Sequence, residues 1–191
     1  INLLKKNINS DLKRMNQLIT DISNFTRLKA EIELEKNEYI KINDFIDEIP
    51  NIFNNNNKKI QLILNKYHEN IIIVANKNKL TQVFVNLIEN SISLSPAGSK
   101  ILIDLKKNDE ETISFKFYDQ GRGINFQDSK KIFDRFYTDR EDNIKSHTGL
   151  GLSIAKEIIT HMNGQITLDK SDKSDYSGAC FLIILPVRHS S

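Results

Sequence analysis

Four groups of residues along this chain have types and spacings that can do chemistry. The first is a pair of asparagines, Asn86 and Asn90, within KNKLTQVFVNLIENSISLS (residues 77–95). A spacing of four puts both amides on one face of a helix. They sit beside an apolar seam, where an amide avoids burial unless something binds it. In a chain this rich in asparagine the pair alone carries little weight. The second group is Asp119 with Gly121 and Gly123, in YDQGRGINF (118–126), in a chain that has only 7 glycines. A carboxylate at a strand end can accept a hydrogen bond from an exocyclic amine. Glycines beside it let the backbone approach a flat ring or adopt positive φ. The same pattern also fits an ordinary turn after a strand.

The third group is Gly149 and Gly151, in HTGLGLSIAKE (147–157). Free N–H groups and partial positive charge make a helix N-terminus a natural seat for phosphate. This is not a Walker loop, because no G-x-x-x-x-G-K-[ST] occurs. It is not a dinucleotide fingerprint either, because the third glycine and a strand leading directly into it are absent. Between the two glycine pairs, IFDRFYTDR (132–140) places Phe133, Phe136 and Tyr137 in an otherwise polar stretch. Such a group reads as a small apolar cluster that pins a loop.

These side chains need elements to hold them. Residues 1–35 contain no Gly or Pro, and Ile1, Leu4, Ile8, Leu12, Met15, Ile19, Ile22 and Phe25 recur in steps of three and four. That is the seam of an amphipathic helix about 50 Å long, which wants a partner helix. A short strand is expected at 38–43, then a helix with Asn43 as N-cap that Pro50 bends or interrupts. Strands at 59–65 and 70–76 flank a polar turn. A helix at 77–95 buries Leu80, Val83, Phe84, Leu87, Ile88 and Ile92 and stops at Pro96-Ala97-Gly98. Strands at 100–107 and 112–119 alternate as if one face were solvated. The long polar connection at 119–148 suits a lid over a site. A helix at 149–163 ends at Gly164, and strands follow at 165–169 and 179–186. The order implies an α+β fold: an α/β sandwich, a mixed sheet with helices on one face, preceded by the long N-terminal helix.

Composition narrows the classes. The chain has 191 residues, 39% of them hydrophobic, enough for one full domain and an extra element. Net charge is +2 and the basic residues are scattered, so no nucleic-acid partner is indicated. The single cysteine, Cys180, cannot make an internal disulfide, and no zinc-type spacing occurs, which fits a reducing compartment. No apolar run approaches the roughly 18–20 residues of a membrane span. Because Ile1 opens within a helical pattern, the chain is expected to be a piece of a longer protein. Heavy use of Lys, Asn and Ile, including NNNN at 54–57, fits an AT-rich genome.

The order and spacing of the four groups resemble the ATP-binding domain of sensor histidine kinases. The wider group includes the ninety-kilodalton heat-shock chaperone, type II topoisomerases and mismatch-repair ATPases. NLIENSISLSP is similar to the asparagine box, DQGRGI to the first glycine box, IFDRFYTD to the phenylalanine box and TGLGLSIAKEI to the second glycine box. GACFLIILP resembles the closing strand, and with the phenylalanine box it points to histidine kinases. SISLSP and FYTDR look most like ChvG-type alphaproteobacterial sensors. The resemblance implies a Bergerat-type ATP fold over residues 38–187 with a lid at 124–148. Residues 1–37 resemble the second helix of a dimerisation hairpin whose first helix is absent.

The resemblance also implies roles. Asp119 would accept the adenine amino group, with Gly121, Gly123 and Ile124 around the ring. Asn90 would ligate Mg²⁺ bridging the phosphates, and Asn86 would assist there. Thr148, Gly149, Leu150, Gly151 and Leu152 would meet the phosphates, and Phe133 and Phe136 would anchor the lid. Cys180 would stand near adenine where the family often has Thr. ATP and Mg²⁺ are the implied cofactors. The implied partners are the hairpin helix, a second protomer and a response-regulator receiver domain, without nucleic acid or membrane contact by this part. The location is the cytoplasmic portion of an inner-membrane-anchored bacterial sensor.

Some residues depart from the family pattern. Its acceptor histidine lies on the first hairpin helix, followed by Glu or Asp and, a few residues later, by Pro; none of His68, His147, His161 and His189 has that full context, and all fall outside the hairpin region. The γ-phosphoryl would therefore go to a histidine outside this chain. Ser93 and Leu94 replace a frequent Lys-Tyr or Arg-Tyr pair, leaving Arg135, Arg140 or Lys145 to supply a cation. Family members that hydrolyse ATP with water carry Glu at the place of Asn86, so Asn86 argues against that activity. The alternative is a degenerate kinase-like module that docks or dimerises without transfer.

Overall fold

A computed structural model describes residues 36–53, 60–137 and 149–187, together with Leu12, Met15 and Ser23. The expectations for the helix at 1–35 and for Thr148, Arg140 and Lys145 lie outside the described residues, save that Leu12 and Met15, on the expected seam, are helical and exposed.

Two sheets organise the chain. Strand β1 (Glu38–Lys41) pairs antiparallel with β3 (Ile72–Ala75) in a two-stranded sheet. The larger sheet has β2 (Gln61–Asn65), β4 (Lys100–Lys107), β5 (Thr112–Tyr118), β7 (Cys180–Pro186) and β6 (Gln165–Asp169) in that spatial order. Only β2 and β4 run parallel, so the sheet is mixed as expected. Helices α1 (Ile42–Ile52), α2 (Lys77–Leu94) and α3 (Gly151–His161) pack with one face of it.

Helix α2 forms where the periodicity places it. The Asn76 side chain caps it by accepting from the Lys79 N–H at 2.9 Å, which satisfies one of the orphan donors of the first turn. Its apolar stripe of Leu80, Val83, Phe84, Leu87 and Ile88 is buried. Phe84 is the hub of the core, edge-on to Phe45, Phe117 and Phe115 with centroids at 5.0, 4.9 and 5.2 Å, the arrangement that the ring quadrupoles favour.

The local expectations need three corrections. Asn43 is not an N-cap: α1 starts at Ile42 with Lys41 in the cap position. The Asn43 amide instead donates to the Tyr67 and Glu69 carbonyls at 3.0 and 3.1 Å, tying the turn between β2 and β3 onto α1. Strands β2 and β3 flank that polar turn as expected, each in a different sheet. Gly164 does not supply the left-handed residue that ends α3; Asn163 does, at φ 57°. Gly164 is needed for space, since a Cβ there would sit 2.5 Å from the Ile184 carbonyl oxygen. Finally, β4 and β5 have no freely solvated face. Leu102, Asp104 and Tyr118 on the side away from the helices are buried, Leu102 and Tyr118 in a cluster with Tyr176 and Cys180. Tyr176 belongs to the β6–β7 connection, which folds over that side. Pro50 interrupts α1 only near its end, as the helix stops two residues later at Ile52.

Candidate functional site

Asp119 follows the last residue of β5. Strand side chains alternate in direction, so Tyr118 points away from the helices and Asp119 points toward them. The Asp119 side chain is buried, at 1% exposure. Its Oδ1 accepts from the backbone N–H groups of Gly121 and Ala179, both at 2.9 Å. Its Oδ2 accepts from the Ser91 hydroxyl at 3.0 Å. Donors thus come from the turn, from the closing strand's approach and from α2. Burial holds the carboxyl above the usual carboxylate range, although all three hydrogen bonds oppose that shift. A carboxylate oxygen has two lone pairs, so Oδ2 retains capacity for a further donor such as an amine.

Two glycines crowd this carboxylate and a third turns the chain beside it. Gly123 has φ 74°, the left-handed region that favours glycine. Gly121 has no such backbone, but a Cβ there would stand 3.0 Å from Asp119 Oδ1 and 3.1 Å from the Leu94 carbonyl oxygen. A Cβ on Gly178 would fall 1.9 Å from Asp119 Oδ1 and 2.5 Å from the Gly121 nitrogen. Gly178 also donates its N–H to the Asp119 carbonyl at 3.0 Å. Beside them opens a groove of about 470 Å³ lined by Arg122, Gly123, Ile124, Asn125, Ser177 and Gly178.

Helix α2 brings Asn86, Asn90 and Ser91 to the same region. Asn86 donates through Nδ2 to the Gly151 carbonyl at 3.1 Å, joining the asparagine pair to the second glycine pair across 65 residues of sequence. Gly149 has φ 72°. Helix α3 then opens at Gly151 with no side-chain cap and no acid in its first turn. The first N–H groups of a helix have no intrahelical acceptor, so this uncapped end can receive an anion. Leu150 is buried and Leu152 partly buried, which leaves backbone rather than side chains as their contribution to it.

Phe133 anchors the stretch between the glycine pairs. With Ile132 it is buried, and its ring meets Phe181 edge-on at 6.4 Å. Phe136 does not share this role. It is 47% exposed, with φ 63°, and only its backbone contributes, through an N–H donated to the Gly149 carbonyl at 3.1 Å. A Cβ on Gly149 would come within 2.7 Å of the Phe136 carbonyl carbon and the Tyr137 oxygen. Residues 136 and 149 therefore meet at the base of the expected lid.

Cys180 is also corrected. It pairs with Tyr118, shares that residue's orientation, and packs against Leu102, Tyr118 and Tyr176 on the side away from Asp119. Burial pushes its thiol up to about 12. Ala179 takes the place at the pocket. Sequence reasoning missed Ser91 and Gly178. Ser91 directly follows Asn90 in the asparagine motif, and Gly178 is one of few glycines and opens the closing-strand motif, so each had a local signal.

The residues present fit the implied groups. No cluster of three His, Cys, Asp or Glu side chains able to hold a metal occurs among the described residues. A magnesium ion carried by nucleotide phosphates and water needs only one or two protein oxygens, and an amide oxygen at Asn90 is a suitable hard donor.

Comparison with known proteins agrees with this geometry. The family model described as "Histidine kinase-, DNA gyrase B-, and HSP90-like ATPase" matches residues 75–189. Sporulation kinase E of Bacillus subtilis (strain 168) is 30% identical over 184 residues, which cover 96% of this chain and 24% of that protein. Sensor histidine kinase WalK of the same organism is 30% identical over 166 residues, 84% of this chain and 27% of that protein. The chain thus spans about a quarter of the length of these relatives. Among solved structures, the mycobacterial sensor histidine kinase MprB has the same fold, with TM-score 0.70 at 22% identity, covering 81% of this chain and 99% of that one. The chain belongs to the family of histidine kinase-, DNA gyrase B- and HSP90-like ATPases.

Proposed function

We propose that residues 38–187 are the ATP-binding catalytic domain of a two-component sensor histidine kinase. The domain transfers the γ-phosphoryl of Mg-ATP to a histidine outside this chain, for relay to a response-regulator aspartate. The observation that carries this reading is the buried Asp119 carboxylate, fixed by Ser91, Gly121 and Ala179 and crowded by glycines. Such a carboxylate is built to accept the adenine amino group, with Ile124 beside the ring.

The phosphates lie toward the α3 N-terminus, where backbone N–H groups and the helix dipole favour them. Asn90 would hold a magnesium ion, which would supply charge neutralisation on the phosphates. Asn86 locks α2 to the start of α3 through Gly151. Its amide cannot take a proton from water, so the site has no general base there for hydrolysis. Catalysis rests on positioning and charge stabilisation.

The N-terminal segment 1–37 serves as a hairpin helix that pairs with a second protomer, and the receiver domain of a response regulator takes the phosphoryl group onward. The parent is an inner-membrane-anchored sensor with this part on the cytoplasmic side. No helix among the described residues is long and apolar enough to cross a membrane. The narrower ChvG-type assignment rests on SISLSP and FYTDR alone.

Calorimetric titration of ADP with Mg²⁺ tests the reading, on the wild type and on Asp119→Ala. Saturable binding that the substitution abolishes is expected. Transfer from ATP to a separately supplied histidine-bearing hairpin is expected as well. A wild type that ignores millimolar nucleotide refutes the reading and favours a docking module.

A further inference from the structure

The connection between β6 and β7 (residues 170–179) is tied to three consecutive residues at the end of β5. The Tyr118 hydroxyl donates to Asp172 Oδ1 at 2.6 Å. Asp119 exchanges backbone hydrogen bonds with Gly178 and Ala179 at 3.0 and 3.1 Å. The Gln120 side chain donates to the Asp175 carbonyl and accepts from the Lys100 N–H, both at 2.8 Å. Because side chains alternate, Tyr118 works on the sheet face opposite Asp119, yet both hold the same ten-residue segment.

The far-side attachment is substantial. Tyr118 is wholly buried, its ring lies 6.0 Å from that of Tyr176, and the Lys173 ammonium sits 5.5 Å from the ring centroid. Lys173 also approaches the buried Asp104 carboxylate at 3.6 Å. Lys116 bridges Asp169 at 2.9 Å and Asp172 at 3.6 Å. Burial and the neighbouring Asp172 raise the Tyr118 phenol above its ordinary range, while the Tyr118 hydrogen bond lowers the Asp172 carboxyl. The phenol therefore stays a donor and the carboxylate an acceptor throughout the neutral range.

At its other end the segment has no slack. Gly178 is pressed so closely onto Asp119 that even a methyl group would overlap the carboxylate. The Ala179 N–H that fixes Oδ1 comes from the next residue. A segment released at Asp172 can drift, and Gly178 and Ala179 drift with it.

We propose that Tyr118 and Asp172, on the face opposite the nucleotide, are positioning residues for adenine recognition. Their hydrogen bond latches the β6–β7 connection so that Gly178 and Ala179 hold the Asp119 carboxylate at the adenine amine. The proposal rests on Asp119 being the adenine acceptor.

The test compares ADP with inosine diphosphate, which carries a carbonyl where ADP has the amino group, on the full chain with Mg²⁺. Tyr118→Phe keeps the ring and removes only the hydroxyl, and Asp172→Ala truncates a side chain that is 55% exposed. Each is expected to weaken ADP about three- to tenfold while leaving inosine diphosphate nearly unchanged, narrowing the preference. Asp172→Asn, which keeps an acceptor oxygen, restores most of it. If both variants keep the wild-type preference, or weaken both nucleotides equally, the latch is wrong and the site reading stands. If the wild type shows no preference for ADP, or Asp119→Ala leaves the preference intact, the adenine assignment itself fails and the latch falls with it.

Discussion

Replacing Gly178 by alanine separates a structural glycine from a pocket-forming one. A Cβ there would lie 1.9 Å from Asp119 Oδ1, 2.5 Å from the Gly121 nitrogen and 2.7 Å from the Asp119 carbonyl oxygen. All three neighbours belong to the turn that forms the pocket; two are backbone atoms, and the third ends a buried side chain that three hydrogen bonds hold in place. To reach an ordinary contact of 3.4 Å the segment must retreat by about 1.5 Å. The hydrogen bonds from Gly178 to the Asp119 carbonyl, at 3.0 Å, and from Ala179 to the carboxylate, at 2.9 Å, then stretch past bonding range. One neutral bond at about 1 kcal/mol and one to a charged group at about 1.5–3 kcal/mol give a loss of about 2–4 kcal/mol. At 2–4 °C per kcal/mol for a domain of this size, the thermal midpoint falls by about 5–15 °C. A misplaced carboxylate that costs even 2 kcal/mol in binding weakens ADP by about 30-fold. Thermal melts followed by circular dichroism and calorimetric ADP titration measure both. Gly98→Ala is the control, because φ there is 79° but nothing lies within 4 Å of the added Cβ; it costs about 1 kcal/mol of backbone strain and no ADP affinity. A Gly178→Ala protein that melts and binds like the wild type would refute the close contact and the pocket built on it.

Phe133→Ala removes a buried ring that packs on Phe181 and lowers stability by about 3 kcal/mol, whereas Phe136→Ala, at an exposed side chain, stays within about 0.5 kcal/mol; urea denaturation distinguishes them, and equal losses would contradict the anchoring geometry. Asn90→Ala abolishes the gain in nucleotide affinity that Mg²⁺ provides but leaves affinity in excess chelator unchanged, as calorimetry with and without the metal will show. Burial raises the Asp119 carboxyl above its ordinary 3.8, so the folded chain holds that proton more readily than the unfolded one. The stability contribution of this group is therefore complete below about 3.8 and is lost as pH rises through the folded value. Adenine recognition has the opposite sign, because the ionised form accepts the amine: ADP affinity falls as pH drops through the same folded value, and Asp119→Asn removes the dependence. A wild-type affinity that stays flat from neutral pH to pH 4 would count against Asp119 as the acceptor.

Helices and strands with strong internal periodicity were legible in the sequence. The stripe of α2 and the runs that became β4, β5 and β6 each need only near neighbours to choose their conformation, and near neighbours are what a sequence displays. The candidate site was legible for a related reason: Asn86, Asp119, Gly123 and Gly149 are demanded by local geometry or by chemistry that few other residues perform. Asn43 misled because a short polar side chain before an apolar run signals a cap, while here it serves carbonyls more than twenty residues away. Phe136 misled because an aromatic in a polar loop suggests an anchor, while its position was decided by a backbone contact with Gly149.

By itself the sequence determined the order of the elements, the apolar faces of the helices and most of the residues proposed to bind a nucleotide. Only the tertiary structure decided which side of the sheet each closing-strand residue takes. The register that sets Tyr118 opposite Cys180 turns that thiol away from the pocket and gives the place to Ala179. It also brings Gly178 against Asp119 and Ser91 beneath it, across 59 and 28 positions of the chain. Side-chain direction along a strand has a period of two, so one residue of register exchanges every inward and outward role, and that register is set by pairing between distant segments.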